Sequence, residues 1–322
     1  MRLTSIFENT ELLTGGSDDI ACVSGYKSYA GKKVKLNVLA LGDVGSTLAM
    51  ALMLRGADAI EKIGLCDINP VWAARFEFEF GQFSMPTDYH AFPEVCAVAP
   101  EDVFDCDVFV FCAALGVPKV GEEQGDVRMM QLQRNVKLVQ SYAERSLKDG
   151  FEGEFFVVSD PVDPLCKGAL DAGVPRNRIQ GFGLGVMNAR AAYFAKKDPS
   201  LAQYLTEGRA YGPHGSGLVI ADSITNYNHE KSLELSKLTI TANLKMREMG
   251  FKPYIAPAVS SGALSIIENL RGNWHYSSAC FGGAFWGMKN RRAAGGLEIE
   301  NPDLDEKLMD RIRTSYEELK NI

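Results

Sequence analysis

The sequence lacks the features that mark membrane proteins and nucleic-acid-binding proteins. It has no apolar run near the roughly 18 residues that a membrane-spanning helix needs, and its richest apolar stretch, residues 108–117, is too short. Basic residues form no cluster interleaved with aromatics, and 34 Lys and Arg residues are outnumbered by 41 Asp and Glu residues. Because nucleic acids are held by local basic surfaces, this charge balance predicts no nucleic-acid partner and no membrane partner.

Metal-binding and disulfide patterns are also missing. The four histidines show no H-x-H or H-E-x-x-H spacing, and the seven cysteines include no C-x-x-C pair. The sequence therefore predicts no metal site, and its thiols are expected to be reduced and mostly buried. The N-terminus carries an early acidic residue and no apolar signal-peptide core, so we expect a cytoplasmic protein.

The composition, 46% hydrophobic and 23% charged, is typical of a folded globular protein, and 322 residues predict about two domains. Residues 1–33 are rich in turn-forming residues and lack periodicity, which predicts an N-terminal extension or arm. Residues 34–181 alternate strand-like and helix-like segments, which predicts a first, α/β domain. Residues 182–322 contain long helical segments around a strand-rich part, which predicts a second, mixed α+β domain.

The alternation within residues 34–181 defines the expected fold class. Apolar strand-like runs recur along this part of the chain, and residues 128–148 carry apolar side chains at helical spacing. This order predicts an α/β fold with a doubly wound parallel sheet. One segment, residues 76–80, alternates like a strand although it falls where a crossover helix is expected, so the pattern leaves its structure open.

A dinucleotide-binding fingerprint opens the first βαβ unit. The turn Gly42-Asp43-Val44-Gly45 follows a strand and begins a helix, with Ala40 in place of the usual first glycine. Gly42 lets the backbone approach a pyrophosphate, and Gly45 lets the helix pack closely on the strand. The helix N-terminus adds free N–H groups and the positive end of its dipole. The turn is therefore predicted to bind a dinucleotide.

An acidic residue at the end of the next strand narrows the choice of cofactor. Asp67 can accept hydrogen bonds from the adenosine ribose diol, and its charge would repel a ribose phosphate, which favours NAD over NADP. By itself the pattern also fits an ordinary strand-to-helix turn followed by an acid. The joint register of strand, turn, helix and acid favours binding.

Segments farther along the chain suggest a family. They are AALGVP at 113–118, RMMQLQRN at 128–135, VVSDPVD at 157–163, GFGLGVMNAR at 181–190 and GPHG at 212–215. Their order and spacing resemble the lactate/malate dehydrogenase family over about residues 34–322. The resemblance implies that residues 34–181 form an NAD-binding Rossmann domain, with further cofactor contacts at Ala113 and Asn135, and that residues 182–322 form a substrate domain. It implies an oxidoreductase that moves a hydride between NAD(H) and a 2-hydroxy or 2-oxo acid. It also implies a homodimer or homotetramer.

The resemblance implies specific roles for individual residues. His214 matches the proton donor and acceptor, Arg190 the clamp on the substrate carboxylate, and Arg128 the loop arginine that polarises the carbonyl. These residue types suit the reaction, because an imidazolium can protonate the developing alkoxide and a planar guanidinium can hold a carboxylate by two bonds. Ser261 and Gly262 match the pocket lining. Each residue alone also fits a turn or a surface charge, so the interpretation depends on the whole set.

Two positions depart from the family pattern. Met187 stands where the family has the Asp that pairs with its histidine, and Asp160 stands where the family has an Asn that contacts the substrate oxygen. Our hypothesis is that Asp160 replaces the missing carboxylate and supports protonated His214. Alternatively, both changes record a loss of catalysis, leaving a silent NAD-binding regulatory paralogue. In a further alternative, Asp160 faces the cationic nitrogen of a 2-imino acid. The resemblance also suggests a cis bond before Pro161.

The loop that sets substrate choice in this family, residues 115–127, is acidic here. It contains Glu122, Glu123 and Asp126 and lacks the arginine that malate enzymes use for a second carboxylate. These charges would repel a dicarboxylate, so the loop predicts a bulkier, polar or cationic 2-oxo acid. An acidic, solvated lid without any role in specificity explains the same residues.

Overall fold

The computed structural model describes residues 1–7, 12–14, 19–115 and 125–321, with the backbone alone described for residues 12–14 and 125–130. Within these residues the strands are β1 Leu12–Thr14, β2 Ile20–Val23, β3 Val34–Leu39, β4 Ile60–Cys66, β5 Glu94–Ala97, β6 Val108–Phe111, β7 Glu154–Val157, β8 Ile179–Gly181, β9 Arg209–Tyr211, β10 Val219–Ala221, β11 His275–Phe281, β12 Ala284–Ala293 and β13 Gly296–Glu300.

The helices in the same ranges are α1 Asp43–Arg55, α2 Pro70–Phe80, α3 Gly125–Lys148, α4 Val162–Asp171, α5 Leu184–Ala195, α6 Tyr204–Glu207, α7 His229–Glu248, α8 Leu264–Arg271 and α9 Glu306–Lys320. A π-helix, Pro257–Ala263, leads directly into α8. Short 3₁₀ helices cover Leu3–Ile6, Pro100–Asp102, Arg176–Arg178 and Pro199–Leu201. Among the helices of the described ranges, none combines the length and apolar character that a membrane crossing requires.

The predicted doubly wound parallel sheet is confirmed. Strands β5, β4, β3, β6, β7 and β8 lie side by side in that order, and all are parallel. Strand β6 is buried at every position, because helices cover both faces of a parallel sheet. The strand order reverses direction between β3 and β6, and the carboxyl ends of parallel strands at such a switch point form a ligand-binding crevice.

The sheet continues beyond β8 with antiparallel strands from the second half of the chain. Strand β11 meets β8 at the pair Ser278 and Gly181, followed by β12, β13, β2 and β1. The described part of the N-terminal extension thus packs on its own chain. Leu3, Ile6 and Phe7 are buried against this second half, and the Phe7 ring stacks on that of Phe281 with 4.6 Å between the ring centres. The extension completes a core that β11–β13 begin.

The ambiguous segment at 76–80 is helical. It forms the end of α2, where Asn69 caps the N-terminus by accepting a hydrogen bond from the Val71 N–H. Phe76 and Phe80 are buried, whereas Phe78 is exposed. Residues four apart share one face of a helix, so the alternating aromatics satisfy a helical pattern as well as a strand pattern. The segment follows β4 and precedes the parallel strand β5, so its place in the fold requires the helix and not the strand.

The second half of the chain packs directly on the first helix of the nucleotide-binding half. The π-helix Pro257–Ala263 lies against α1, and a side chain at Gly262 would press on Leu48. Ser261 ties this contact to α5, because its hydroxyl donates to the Gly183 carbonyl and accepts from the Val186 N–H. The close approach therefore holds the second half beside the β3–α1 turn.

Candidate active site

The two glycines of the β3–α1 turn have different surroundings. A Cβ added to Gly42 would meet nothing within 4 Å, whereas one added to Gly45 would overlap the Ala40 carbonyl oxygen. Ala40 itself adopts a positive φ of 72°, the conformation that the missing first glycine normally supplies. Among the described residues, no side chain caps the N-terminus of α1, whose N-cap residue is Gly42. The turn thus presents open backbone at Gly42, as a pyrophosphate requires, and close packing at Gly45.

Alanine substitutions at the two glycines should therefore impair different properties, cofactor affinity at Gly42 and stability at Gly45. Gly42→Ala places a methyl group where the pyrophosphate of the cofactor approaches. We therefore expect NADH affinity to fall about tenfold or more, with a stability loss under about 1 kcal/mol. Gly45→Ala should instead lower stability, by roughly 2–3 kcal/mol, because helix and strand must separate. NADH fluorescence titration and urea unfolding measure the two effects. Equal losses of stability in both variants would contradict this division.

Asp67 lies beside this turn. Its Oδ2 accepts a hydrogen bond from the Leu41 N–H at 2.7 Å, and its Oδ1 accepts one from the Asn69 N–H at 2.9 Å. These backbone bonds hold the carboxylate at the end of β4, the place where a Rossmann domain binds the adenosine ribose. Asp43 and Val44, the residues between the two glycines, begin α1, with Asp43 exposed and Val44 partly buried.

The two remaining predicted cofactor contacts are Ala113, which follows β6, and Asn135, in the middle of α3. The Ala113 carbonyl accepts a hydrogen bond from the Ser159 hydroxyl at 2.7 Å, which joins the ends of β6 and β7. Asn135 is buried on α3, and its Oδ1 accepts a hydrogen bond from the Leu115 N–H at 2.7 Å. Both bonds shape the crevice edge next to the glycine turn. The chain therefore has the open turn, the helix N-terminus and the acid that NAD binding requires.

The structure brings His214 and Asp160 together. His214 follows β9 and Asp160 follows β7, and 3.1 Å separates His214 Nδ1 from Asp160 Oδ1. The Asp160–Pro161 bond is cis. The His214 side chain packs closely on Gly183, since a Cβ added to Gly183 would lie 3.0 Å from the His214 Cβ. The other ring nitrogen, Nε2, is buried and has no hydrogen-bond partner among the described residues, so it can bond to a substrate oxygen.

Arg190 lies close to the same pair. Its Nη1 donates to the Met187 sulfur at 3.5 Å, one turn earlier on α5. Burial lowers the pKa of Arg190, and the nearby Asp160 carboxylate acts in the opposite direction. Arginine nevertheless stays protonated in proteins, and a thioether is only a weak acceptor. The guanidinium can therefore bind a substrate carboxylate.

A buried carboxyl group, in addition to the exposed Asp160, lies near this site, and our sequence analysis did not single it out. Asp163, at the start of α4, is 4% exposed, and its Oδ1 has no hydrogen-bond partner among the described residues. Burial raises the pKa of Asp163 to about 7, opposed by a hydrogen bond from Ser278 and by the charge of His214. Its place in the VVSDPVD segment was visible in the sequence, but its burial depends on packing against β11.

The remaining predicted site residues either lie outside the described part of the chain or are buried in packing contacts. The side chain of Arg128, on α3, lies outside the described residues, as do Glu122, Glu123 and the side chain of Asp126. Ser261 and Gly262 are buried between α1 and α5, and the Ser261 hydroxyl is already bonded to backbone groups. In this structure both residues pack between the two helices, and their role in lining a substrate pocket stays a prediction. The described part of the chain contains no cluster of three His, Cys, Asp or Glu side chains able to hold a metal ion.

Hydride transfer requires a nicotinamide beside a group that can move a proton. The open glycine turn follows β3 and the Asp160 partner of His214 follows β7, so both lie at the carboxyl ends of the parallel strands, the arrangement typical of NAD-dependent dehydrogenases. A family model described as the lactate/malate dehydrogenase NAD-binding domain matches residues 34–181. Residues 34–181 are therefore a lactate/malate dehydrogenase NAD-binding domain, and the cofactor is NAD.

Individual relatives agree with this assignment. The chain is 27% identical to an L-lactate dehydrogenase of Mesomycoplasma hyopneumoniae strain 232 over 249 residues, 76% of this chain and 73% of the relative. It is 30% identical to an L-lactate dehydrogenase of Treponema denticola over 199 residues, 61% of this chain and 59% of the relative.

Solved structures support the fold. A lactate dehydrogenase, MGS-M5, from a Medee basin deep-sea metagenome library has a TM-score of 0.71 at 20% identity, covering 90% of this chain and 97% of its own. The minor L-lactate dehydrogenase of Enterococcus mundtii also has a TM-score of 0.71, at 19% identity and with the same coverage.

Proposed function

We propose that this protein interconverts a 2-oxo acid and a 2-hydroxy acid, with Asp160 as the carboxylate partner of His214. The observation that carries this proposal is the 3.1 Å contact between His214 Nδ1 and Asp160, together with the buried Nε2 that has no hydrogen-bond partner among the described residues. An imidazole held by a carboxylate at one nitrogen has its other nitrogen ready to exchange a proton. Met187, which occupies the family's carboxylate position, cannot do this.

Each residue then has a defined task. Bound NADH supplies the hydride. His214 donates the proton from Nε2 to the substrate oxygen, and Asp160 accepts the Nδ1–H bond and stabilises the imidazolium. Arg190 clamps the substrate carboxylate through paired hydrogen bonds, which orients the carbonyl carbon. Arg128, at the family's loop position, polarises the carbonyl.

The charges around the site favour a particular class of substrate. Asp160 adds a carboxylate that the family pattern lacks at this position, and the segment that sets substrate choice in this family contains Glu122, Glu123 and Asp126 in this sequence. A second substrate carboxylate would meet repulsion from these groups. We therefore propose a 2-oxo acid whose side chain is polar or cationic. The same Asp160 favours a second candidate reaction, reduction of a 2-imino acid, because a carboxylate can pair with a protonated imine nitrogen.

A substrate panel tests the proposal. NADH oxidation would be followed by absorbance with 2-oxo acids that carry small, branched, aromatic, acidic and cationic side chains, each with and without ammonia. We expect turnover without ammonia, and slower turnover with acidic side chains than with polar or cationic ones. A strict requirement for ammonia would favour the imine reaction. Measurable NADH binding without any turnover would favour a silent regulatory subunit.

We also infer that two or four copies of the chain assemble. Large apolar side chains are exposed on α2 and two residues before it, with Ile68 88%, Val71 71% and Phe78 75% accessible. Val71 and Phe78 are seven residues apart and therefore share one face of the helix, and exposed apolar faces are typical of protein interfaces. Light scattering of the purified chain tests the inference, and a monomer at micromolar concentration would contradict it.

A further inference from the structure

The cofactor turn carries an acidic side chain that contacts a lysine from the second half of the chain. Asp43 is the first residue of α1, directly after Gly42. Its Oδ2 lies 3.4 Å from the Nζ of Lys252, a residue 209 positions later in the sequence. Both side chains are accessible, at 49% for Asp43 and 67% for Lys252. The contact therefore joins the two halves of the chain at the opening of the cofactor crevice.

Asp43 has opposite effects in the free and the cofactor-bound protein. A carboxylate in the first turn of a helix is favoured by the helix dipole. The same carboxylate opposes binding of a dinucleotide, because the pyrophosphate that approaches Gly42 is also negatively charged. A cation at this point would offset that repulsion. Within the described part of the chain, Lys252 is the basic residue that contacts Asp43.

The backbone around Lys252 is anchored, while its ammonium group is accessible. Lys252 precedes the π-helix Pro257–Ala263, which packs on α1 through Gly262 and is tied to α5 by the Ser261 hydroxyl. The exposed lysine side chain has a flexible four-carbon stem and can exchange one anion for another nearby. An exposed ion pair is also weak, so little free energy opposes the exchange.

We propose that Lys252 is a cofactor-binding residue whose ammonium group pairs with Asp43 in the free protein and with the pyrophosphate in the NAD complex. The exchange leaves Asp43 near the ammonium group, so one cation serves two anions. It also makes cofactor binding depend on the contact between the π-helix and α1, because that contact places Lys252 at the turn. The proposal concerns the dinucleotide alone and does not depend on which substrate the protein reduces.

Direct binding measurements on Lys252→Ala test the proposal. NADH affinity would be measured by fluorescence titration, and the affinities of ADP and adenosine by calorimetry. We expect NADH and ADP to bind about tenfold more weakly, adenosine to bind as in the wild type, and added salt to weaken NADH binding less than in the wild type. Lys252→Arg should bind nearly as well as the wild type. An equal loss for adenosine would overturn the proposal, because adenosine has no pyrophosphate.

A double-variant cycle separates direct contact from simple neutralisation of Asp43. If Lys252 binds the pyrophosphate, Lys252→Ala should still weaken NADH binding in an Asp43→Asn background. No further weakening in that background would show that the lysine acts only on Asp43, and would overturn the proposal. Lys307→Ala is the matched control, since it removes the same charge from an exposed position on α9, a helix that packs on β12. An equal loss in this control would also overturn the proposal.

Discussion

Replacing Asp160 with Asn should slow reduction of the 2-oxo acid on the order of 1,000-fold while leaving NADH affinity near the wild-type value. Asn keeps the size of Asp but has no charge to stabilise the imidazolium that forms when His214 holds its proton. The Asp160 side chain is 67% exposed, so the substitution should change stability little. Single-turnover kinetics with NADH fluorescence would separate the chemical step from binding.

A second substitution distinguishes relocation of the carboxylate from loss of catalysis. Met187 occupies the family's carboxylate position and lies 3.5 Å from the Arg190 guanidinium. In the variant with Asp160→Asn and Met187→Asp, the carboxylate returns to that position, and we expect a large part of the lost rate to be recovered. Asp160→Ala should be at least as slow as Asp160→Asn. A wild-type rate in either single variant would contradict the role of Asp160.

Replacing Arg292 with Met should destabilise the fold by about 3–5 kcal/mol. Arg292 on β12 and Glu154 on β7 are 0% and 2% exposed, with 2.7 Å between Arg292 Nη1 and Glu154 Oε2. Arg292 also donates from Nε to Gln180 at 2.9 Å. Met fills much of the volume but leaves the buried Glu154 carboxylate without its charge partner. Urea unfolding at neutral pH would measure the loss.

The pH dependence and a double variant check the cause of this loss. Burial already raises the pKa of Glu154, and the Arg292 charge opposes that rise. Without Arg292 the folded-state pKa should rise further above the unfolded value, so the folded state binds more protons. Stability then falls as pH rises through this interval, and the defect should be smaller in acid. Adding Glu154→Leu should recover most of the loss, and a pH-independent defect would point to packing instead.

Much of the nucleotide-binding half could be predicted from local sequence. The parallel sheet follows from apolar runs alternating with helical spacing, and NAD binding follows from Gly42, Gly45 and Asp67 in register; both predictions are confirmed. These features can be predicted from sequence because helix and strand geometry makes buried side chains recur at a fixed, short spacing along the chain. The segment at 76–80 marks the limit of this method, because aromatics two apart satisfy a strand and a helix alike.

The contact between His214 and Asp160 and the contact between Asp43 and Lys252 depended on tertiary structure. Asp160 and His214 are 54 residues apart, and Asp43 and Lys252 are 209 apart, so no local repeat relates them. The family resemblance led us to expect the first pair; no sequence signal pointed to the second. Likewise, the turn-rich extension gave no sign that it packs on β13. The sequence by itself determined the elements and the cofactor turn, since these depend on neighbours along the chain. The tertiary structure alone decided which distant charges meet, since that depends on how the elements pack.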